Sequence, residues 1–365
     1  MIESSAVLVE CCRGTGVACN LQGHRADRAL SAVAGADPMP TPKTPRISVI
    51  IPAYNVGVYV DACLRGLVAQ SLADWNAIVI DDGSLDDTRD AIEGVPDPRI
   101  RCLRQDHSGA AAARNHGLEL ASGEFVMYLD ADDILHPTAL ARLLAAIEAA
   151  PETVAAYGPY RFVTDTGHPH PRQGDVRRPA PPSGDVVRHL LADNFIGNGG
   201  QVLVRMDPRT RALRFKSSLK MAQDWEYWCR LALCGDFVFI DDDLEVLYFR
   251  ERANSVMRTM ATDIGNYEKC IAEIFGNPDL LSRFGRDDLA RLRSLARANT
   301  LWAAGRENFR HRRCAAGRRF MLRSLAIRMS PWRLLIYVAS YPCQWFGLRL
   351  VRQLIYYDFE KNPTT

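Results

Sequence analysis

The sequence predicts an α/β fold built on a mainly parallel sheet, and three observations carry that expectation. Short apolar runs rich in β-branched residues recur at Arg46 to Pro52, Ala77 to Ile80, Ile100 to Leu103 and Glu124 to Leu129. Helix-patterned stretches separate them. The connections are only a few residues long, which favours right-handed βαβ crossovers and therefore parallel neighbours. Functional turns then collect on the edge beyond the C-terminal ends of the strands, where open α/β sheets bind ligands.

Residues 1–45 show no sustained periodicity and end in Pro38-Met39-Pro40-Thr41-Pro42-Lys43-Thr44-Pro45, which suits neither helix nor central strand. A disordered leader is expected there. Ala6 to Val9 is too short for a signal h-region and is flanked by Glu3 and Glu10, so no secretion is expected. The first strand, 46–52, runs into an Ala53-Tyr54-Asn55 turn. Val60, Cys63, Leu64, Leu67 and Val68 then repeat at helical spacing. The second strand runs into Asp81-Asp82-Gly83-Ser84 and a short helix, Asp86 to Glu93. After the third strand an Ala-rich helix, Gly109 to Leu120, closes at Ser122-Gly123. The fourth strand stops on Asp130-Ala131-Asp132-Asp133.

That acidic stop is the sharpest chemical feature. In a locally extended chain Asp130 and Asp132 would point to one side, so that two hard oxygen ligands converge as Mg²⁺ or Mn²⁺ requires. Asp also follows strands simply because it caps turns and helix starts, and Asp132 or Asp133 could cap a helix near Pro137. On the same edge, Tyr54 offers a flat face to a base, Asp82 an acceptor for an imide-like N–H, and Gly83 a close backbone approach. Tyr54 as a packed turn aromatic and Asp81 or Asp82 as helix caps are the rival readings. Arg114, on the Ala-rich helix, could reach phosphate or base, or lie solvated. Neither a GxGxxG after the first strand nor a Walker A loop is present, which argues against a dinucleotide dehydrogenase and a P-loop enzyme. Metal and side chains would have to hold phosphate, which points to a metal-bridged nucleoside diphosphate.

Ile50-Ile51-Pro52-Ala53-Tyr54-Asn55, Ile80-Asp81-Asp82-Gly83-Ser84 with Asp86 and Thr88, Ala113-Arg114-Asn115 and Asp130-Ala131-Asp132-Asp133 resemble, in order and spacing, family 2 glycosyltransferases of the GT-A fold. The likeness covers residues 46 to about 150, and the combination is far more specific than any one motif. It implies an inverting transferase using a nucleotide-activated sugar, most often UDP-linked, with Mn²⁺ or Mg²⁺. Carried over by position, Tyr54 and Asp82 would contact the base, with Pro52 and Asn55 in the same turn, and Arg114 would lie near the nucleotide. Asp130 and Asp132 would serve ribose, diphosphate and metal. The resemblance further implies a catalytic base at a helix start in Ala222-Gln223-Asp224-Trp225, making Asp224 the base with Gln223 in place of the usual Glu. On these terms 46–150 is the nucleotide-sugar half, 151–255 the acceptor half, and 256–365 a helical, basic region.

Independently of any family, Trp225, Trp228, Leu231 and Ala232 mark one side of a helix ended by Gly235, and Asp224 stands at its N-terminus, where the dipole favours a carboxylate. A plain N-cap is the alternative. Asn194 to Gly200 could form an acceptor-side loop or a tight turn, leading into a strand at Gln201 to Arg205. The stretch from Tyr157 to Asp193 reads as an irregular loop running into a helix at Asp185 to Leu191. Arg250 or Arg252, in a segment where the family often has Arg-x-His, is placed to clamp a diphosphate.

The composition, 47% hydrophobic and 24% charged, is that of a globular protein. The formal charge of +2 hides an asymmetry, since Arg310 to Gln353 contains ten Arg and no acid. Leu334 to Leu348 is too short to span a bilayer and is interrupted by Pro342, but Trp332, Tyr337, Tyr341 and Trp345 with flanking Arg resemble an element lying on anionic lipid. Packing on the body or on a dimer partner is the alternative. A nucleic-acid partner is not expected, because the acidic body would repel it. The ten Cys show no CxxC pair and suggest a reducing cytoplasm, with a peripheral position on the inner face of the cell membrane. A nucleotidyltransferase and a non-catalytic nucleotide-sugar-binding scaffold are the rival functions. Sugar, acceptor, linkage and oligomeric state are not legible.

Overall fold

The computed structural model describes residues 44–168, 181–242, 244–252 and 264–341. The expected leader, apart from Thr44 and Pro45, and the tail beyond Tyr341 lie outside the described residues. β1 (Ile47–Ala53), β2 (Trp75–Asp81), β3 (Ile100–Arg104) and β4 (Phe125–Tyr128) alternate with α1 (Gly57–Val68), α2 (Thr88–Glu93) and α3 (Ala110–Leu120). All their ladders are parallel, in the order β3-β2-β1-β4. β1, β2 and β4 are buried on both faces and form the centre of this half of the sheet, while β3, largely exposed, is its edge.

β5 (Ile134–Leu135) and α4 (Ala139–Ala149) precede β6 (Thr153–Tyr157), β7 (Tyr160–Val163) and α5 (Val187–Ala192). β8 (Val202–Arg205), α6 (Pro208–Arg211), α7 (Gln223–Cys234), β9 (Asp236–Phe239) and β10 (Leu247–Arg250) follow. β8 inserts antiparallel between β4 and β6, and β9 extends the edge, giving seven strands in the order β3-β2-β1-β4-β8-β6-β9. The stretches 46–150 and 151–255 thus share one sheet. A second sheet, β5-β10-β7, was not anticipated from the sequence. Strand β7 stands where an irregular loop was expected. The C-terminal region is helical as expected: α8 (Ile264–Phe275), α9 (Pro278–Phe284), α10 (Arg286–Arg310), α11 (Cys314–Ile327) and α12 (Pro331–Ala339).

Two apolar layers flank the large sheet. Ile51, Val79 and Met127 face α1 and α4, with Leu64 and Leu143 in the same cluster. Ile50, Val126 and Tyr128 face the other way, into a cluster that takes in α5, α7 and α8. Helix α7 corrects an expectation. It is buried nearly all round, including Glu226, whose charge Arg230 meets at 2.7 Å and Lys216 at 3.3 Å. Neighbouring Leu203 and Val204 on β8 are both fully buried, in opposite layers. Leu203→Ala should therefore lower the unfolding free energy by about 2–5 kcal/mol in urea denaturation, as cavities of this kind do.

Candidate active site

Strand β4 ends at Tyr128, and the acids that follow do not stay extended. Asp133 N–H donates to the Asp130 carbonyl at 3.1 Å, closing a turn over Asp130–Asp133. The expected one-sided presentation of Asp130 and Asp132 is thereby replaced by separate engagements. Arg114 donates to Asp130 Oδ1 at 2.6 Å, and Asn198 Nδ2 donates to Asp130 Oδ2 at 3.0 Å and to Asp133 Oδ2 at 2.6 Å. Arg252 forms an ion pair with Asp132. Asp133 caps no helix; its Oδ1 accepts the Arg250 N–H of β10 at 2.8 Å, and α4 begins at Ala139 after Thr138.

Burial raises the Asp132 and Asp133 carboxyls above the ordinary range, that of Asp133 strongly, and the neighbouring acids add to the rise in both. Such crowding of hard oxygens is what a divalent cation relieves. Among the described residues no group of three or more His, Cys, Asp or Glu is arranged to hold a metal. A pair of carboxylates completed by substrate phosphate is a usual set for Mg²⁺; to serve as one, Asp130 and Asp132 would exchange their pairing with Arg114 and Arg252 for the cation.

Arg250 is 7% exposed, and its Nε donates to the Asp132 carbonyl at 2.9 Å, with a second donation to the Asp165 carbonyl. It buttresses the acidic turn. Arg252 keeps 26% side-chain exposure and a carboxylate partner.

At the end of β2, Asp82 is buried and its carboxylate is fully engaged. Oδ1 accepts from Gln105 Nε2 at 2.7 Å and Ser108 N–H at 2.9 Å, while Oδ2 accepts from Gly109 N–H at 2.8 Å and meets His107 Nδ1 at 2.9 Å. It fixes the loop before α3. That loop carries His107 against Tyr54, ring centroids 4.0 Å apart and nearly parallel. Tyr54 is 41% exposed. Pro52 lies in β1, and Asn55 adopts a left-handed conformation (φ 49°) with its side-chain oxygen accepting the Leu85 N–H at 2.9 Å.

Asp224 sits in the first turn of α7. The residue before that helix, Ala222, is left-handed (φ 56°), a conformation costing an alanine about 1 kcal/mol. Cys270 Sγ of α8 lies 3.2 Å from the Ala222 carbonyl. Burial raises the Asp224 carboxyl above the usual range; Arg114 pulls it down and Asp130 pushes it up. Arg114 is thus hydrogen-bonded to Asp130 and acts on Asp224 through its charge. Among the described residues, the buried side-chain oxygen of Gln223 has no hydrogen-bond partner.

Asn198 was missed as a site residue in its own right. The Asn194–Gly200 segment offered only glycines as a signal, and the close approach that Gly199 permits is to the Tyr128 carbonyl, 2.5 Å from where a Cβ would stand. Asn198→Ala should lower stability by about 1–3 kcal/mol, because the buried Asp133 and the part-exposed Asp130 both lose a donor. The amide favours the charged form of Asp133, so denaturation should show a larger loss at alkaline than at mildly acidic pH.

Residues 48–217 match the family model described as glycosyl transferase family 2. An uncharacterised protein of Mycobacterium tuberculosis, MT1568, is 31% identical over 232 residues, covering 60% of this chain and 72% of that protein. The UDP-Glc:alpha-D-GlcNAc-diphosphoundecaprenol beta-1,3-glucosyltransferase WfgD of Escherichia coli is 40% identical over 89 residues, covering 24% of this chain and 35% of that one. The mannosyltransferase PcManGT of Pyrobaculum calidifontis, solved with GDP-Man and Mn²⁺, superposes with a TM-score of 0.54 at 18% identity, covering 86% of this chain and 84% of that one. The chain belongs to glycosyltransferase family 2, and its fold is of the GT-A class.

Proposed function

We propose that the protein is an inverting glycosyltransferase that moves a sugar from a nucleotide-sugar donor, a UDP-sugar in the first instance, to a hydroxyl of a saccharide or lipid-linked acceptor. Surface polysaccharide or glycolipid synthesis at the inner face of the cell membrane is the setting. The observation that carries this reading is the acidic turn beyond β4, with Asp130 paired to Arg114 at 2.6 Å and Asp132 to Arg252, in a chain matching the family 2 model. WfgD, by its name, joins such a donor to a lipid diphosphate-linked sugar.

Asp224 is the base. A carboxyl lifted by burial is a better proton acceptor than an ordinary aspartate, and it takes the proton of the acceptor hydroxyl as that oxygen attacks the anomeric carbon. Attack from the face opposite the departing nucleoside diphosphate inverts the configuration in one step. Tyr54, backed by His107, supplies the exposed ring for the base of the nucleotide, and Pro52 and Asn55 shape its turn. Asp82 acts by holding the loop that holds His107. Arg252 takes the phosphate contact, since it is the more exposed of the two, while Arg250 is 7% exposed and holds backbone carbonyls through Nε and Nη1. Mn²⁺ or Mg²⁺ would be held through Asp132 and Asp130, and when bound it neutralises charge on the leaving diphosphate. Gln223 brings an unpaired acceptor oxygen next to the base, suited to a sugar hydroxyl.

Release of nucleoside diphosphate from UDP-, GDP- and dTDP-sugars, with a membrane lipid extract as acceptor, tests the reading. One donor should turn over with Mn²⁺ or Mg²⁺, and chelation, Asp132→Ala or Asp224→Asn should each cut turnover by about 10²-fold or more. Full activity in Asp224→Asn would remove the base. The pH profile gives a second check. Wild-type kcat/KM should rise with pH through a pKa above the ordinary ~3.9 of Asp. Arg114→Gln removes the cation that favours the carboxylate, so its acidic limb should move to higher pH; an unmoved limb would dissociate Arg114 from Asp224.

A further inference from the structure

Helix α12 is amphipathic the wrong way round for a packed helix. Ile336 is its buried apolar residue, whereas Leu334, Leu335 and Val338 are exposed at helical spacing, followed by Tyr341. Met329, at 65% exposure, precedes it. On α11 the exposed residues Arg319, Leu322, Arg323 and Ile327 likewise share one side at three- and four-residue spacing. Arg312 and Arg313 are exposed just before that helix. Leu, Val and Met side chains left in water beside arginines, in a run of sequence with no acid, complement an apolar interior covered by anionic headgroups. Among the described residues no helix is long and apolar enough to cross a membrane, so the contact would be interfacial.

The inner side of the same helix leads to the active site. Arg333 donates to Asn299 Oδ1 of α10 at 2.6 Å, and Asn299 Nδ2 donates to the Ala192 carbonyl at the end of α5 at 3.0 Å. Ala192 opens the segment that ends at Asn198, the amide shared by Asp130 and Asp133.

We infer that the exposed face of α11 and α12 docks on an anionic lipid surface and sets the acceptor side of the site toward that surface, so that the acceptor is a lipid-anchored saccharide. The docking stands on the helices alone; only the acceptor class rests on the transferase reading.

The test is co-sedimentation of the full chain with vesicles of phosphatidylcholine, alone or mixed with phosphatidylglycerol. Binding should require the anionic lipid and weaken as salt rises. Leu334→Gln/Leu335→Gln/Val338→Gln should weaken it about ten-fold or more, and Arg319→Gln/Arg323→Gln by roughly five-fold per arginine. These positions are exposed, so melting temperature and donor hydrolysis in the absence of lipid should match wild type. Equal binding to both vesicle types, or wild-type binding by the triple variant, would overturn the inference. So would a dimer in light scattering that the triple variant dissolves, which would assign the face to a second copy. Vesicle binding needs no donor, so its failure would leave the transferase reading intact, and absence of transfer would leave the docking result intact.

Discussion

Three carboxylates within four residues, at the buried end of a central strand, are the constraint on which the rest of this structure depends. Removing such charges from water is costly unless each finds a partner, and losing one partner leaves a buried charge uncompensated. The partners come from three places: Arg114 from α3, Asn198 from the segment before β8, and the Arg250 and Arg252 pair at and just beyond the end of β10. The acidic turn is thus a junction as well as a site. Satisfying it requires the antiparallel β8 to enter beside β4 and the small sheet to bring β10 across, and both happen.

This junction explains what the sequence disclosed and what it concealed. Strands β1, β2 and β4 were legible because burial on both faces demands uninterrupted apolar runs, visible without knowing the neighbours, and the exposed edge strand β3 by its place between two helices. The family motifs were legible for the same reason, being anchored to the ends of those strands. Strands β5, β7 and β10 are two to four residues long and exist only because they pair with one another, so no local pattern announces them. The periodicity of α7 suggested one apolar side. Burial of its other side depends on Arg230 and Lys216 meeting Glu226, and the Lys216 contact comes from outside the helix.

Two residues singled out for ligand contact also hold the scaffold around other groups. Asp82 spends its carboxylate on the loop 105–109 and leaves Tyr54, propped by His107, as the exposed surface. Arg250 holds two backbone carbonyls through Nε and Nη1, while the more exposed Arg252 pairs with Asp132. In both cases residue type alone could not separate the two roles, because a buried carboxylate and a buried guanidinium need the same number of partners whether these are protein or ligand. Geometry shows how far each is already engaged within the protein.

The placement of Asp224 carries this logic into the C-terminal region. Its helix starts from an alanine held left-handed, a conformation that persists only where the surroundings over-determine it. Those surroundings include α8: Cys270 reaches the Ala222 carbonyl, and Cys270, Ile271 and Ile274 belong to the same apolar cluster as Tyr128, Trp225 and Trp228. Tyr227 of α7 in turn touches the Tyr128 hydroxyl at 2.9 Å and stacks on Phe215, whose backbone Asn115 of α3 clamps at 2.8 Å in both directions. The acid on α7 is therefore located by helices from both ends of the chain. A C-terminal region that reads in sequence as a basic appendage is, at α8, part of the core that fixes Asp224 relative to the acidic turn.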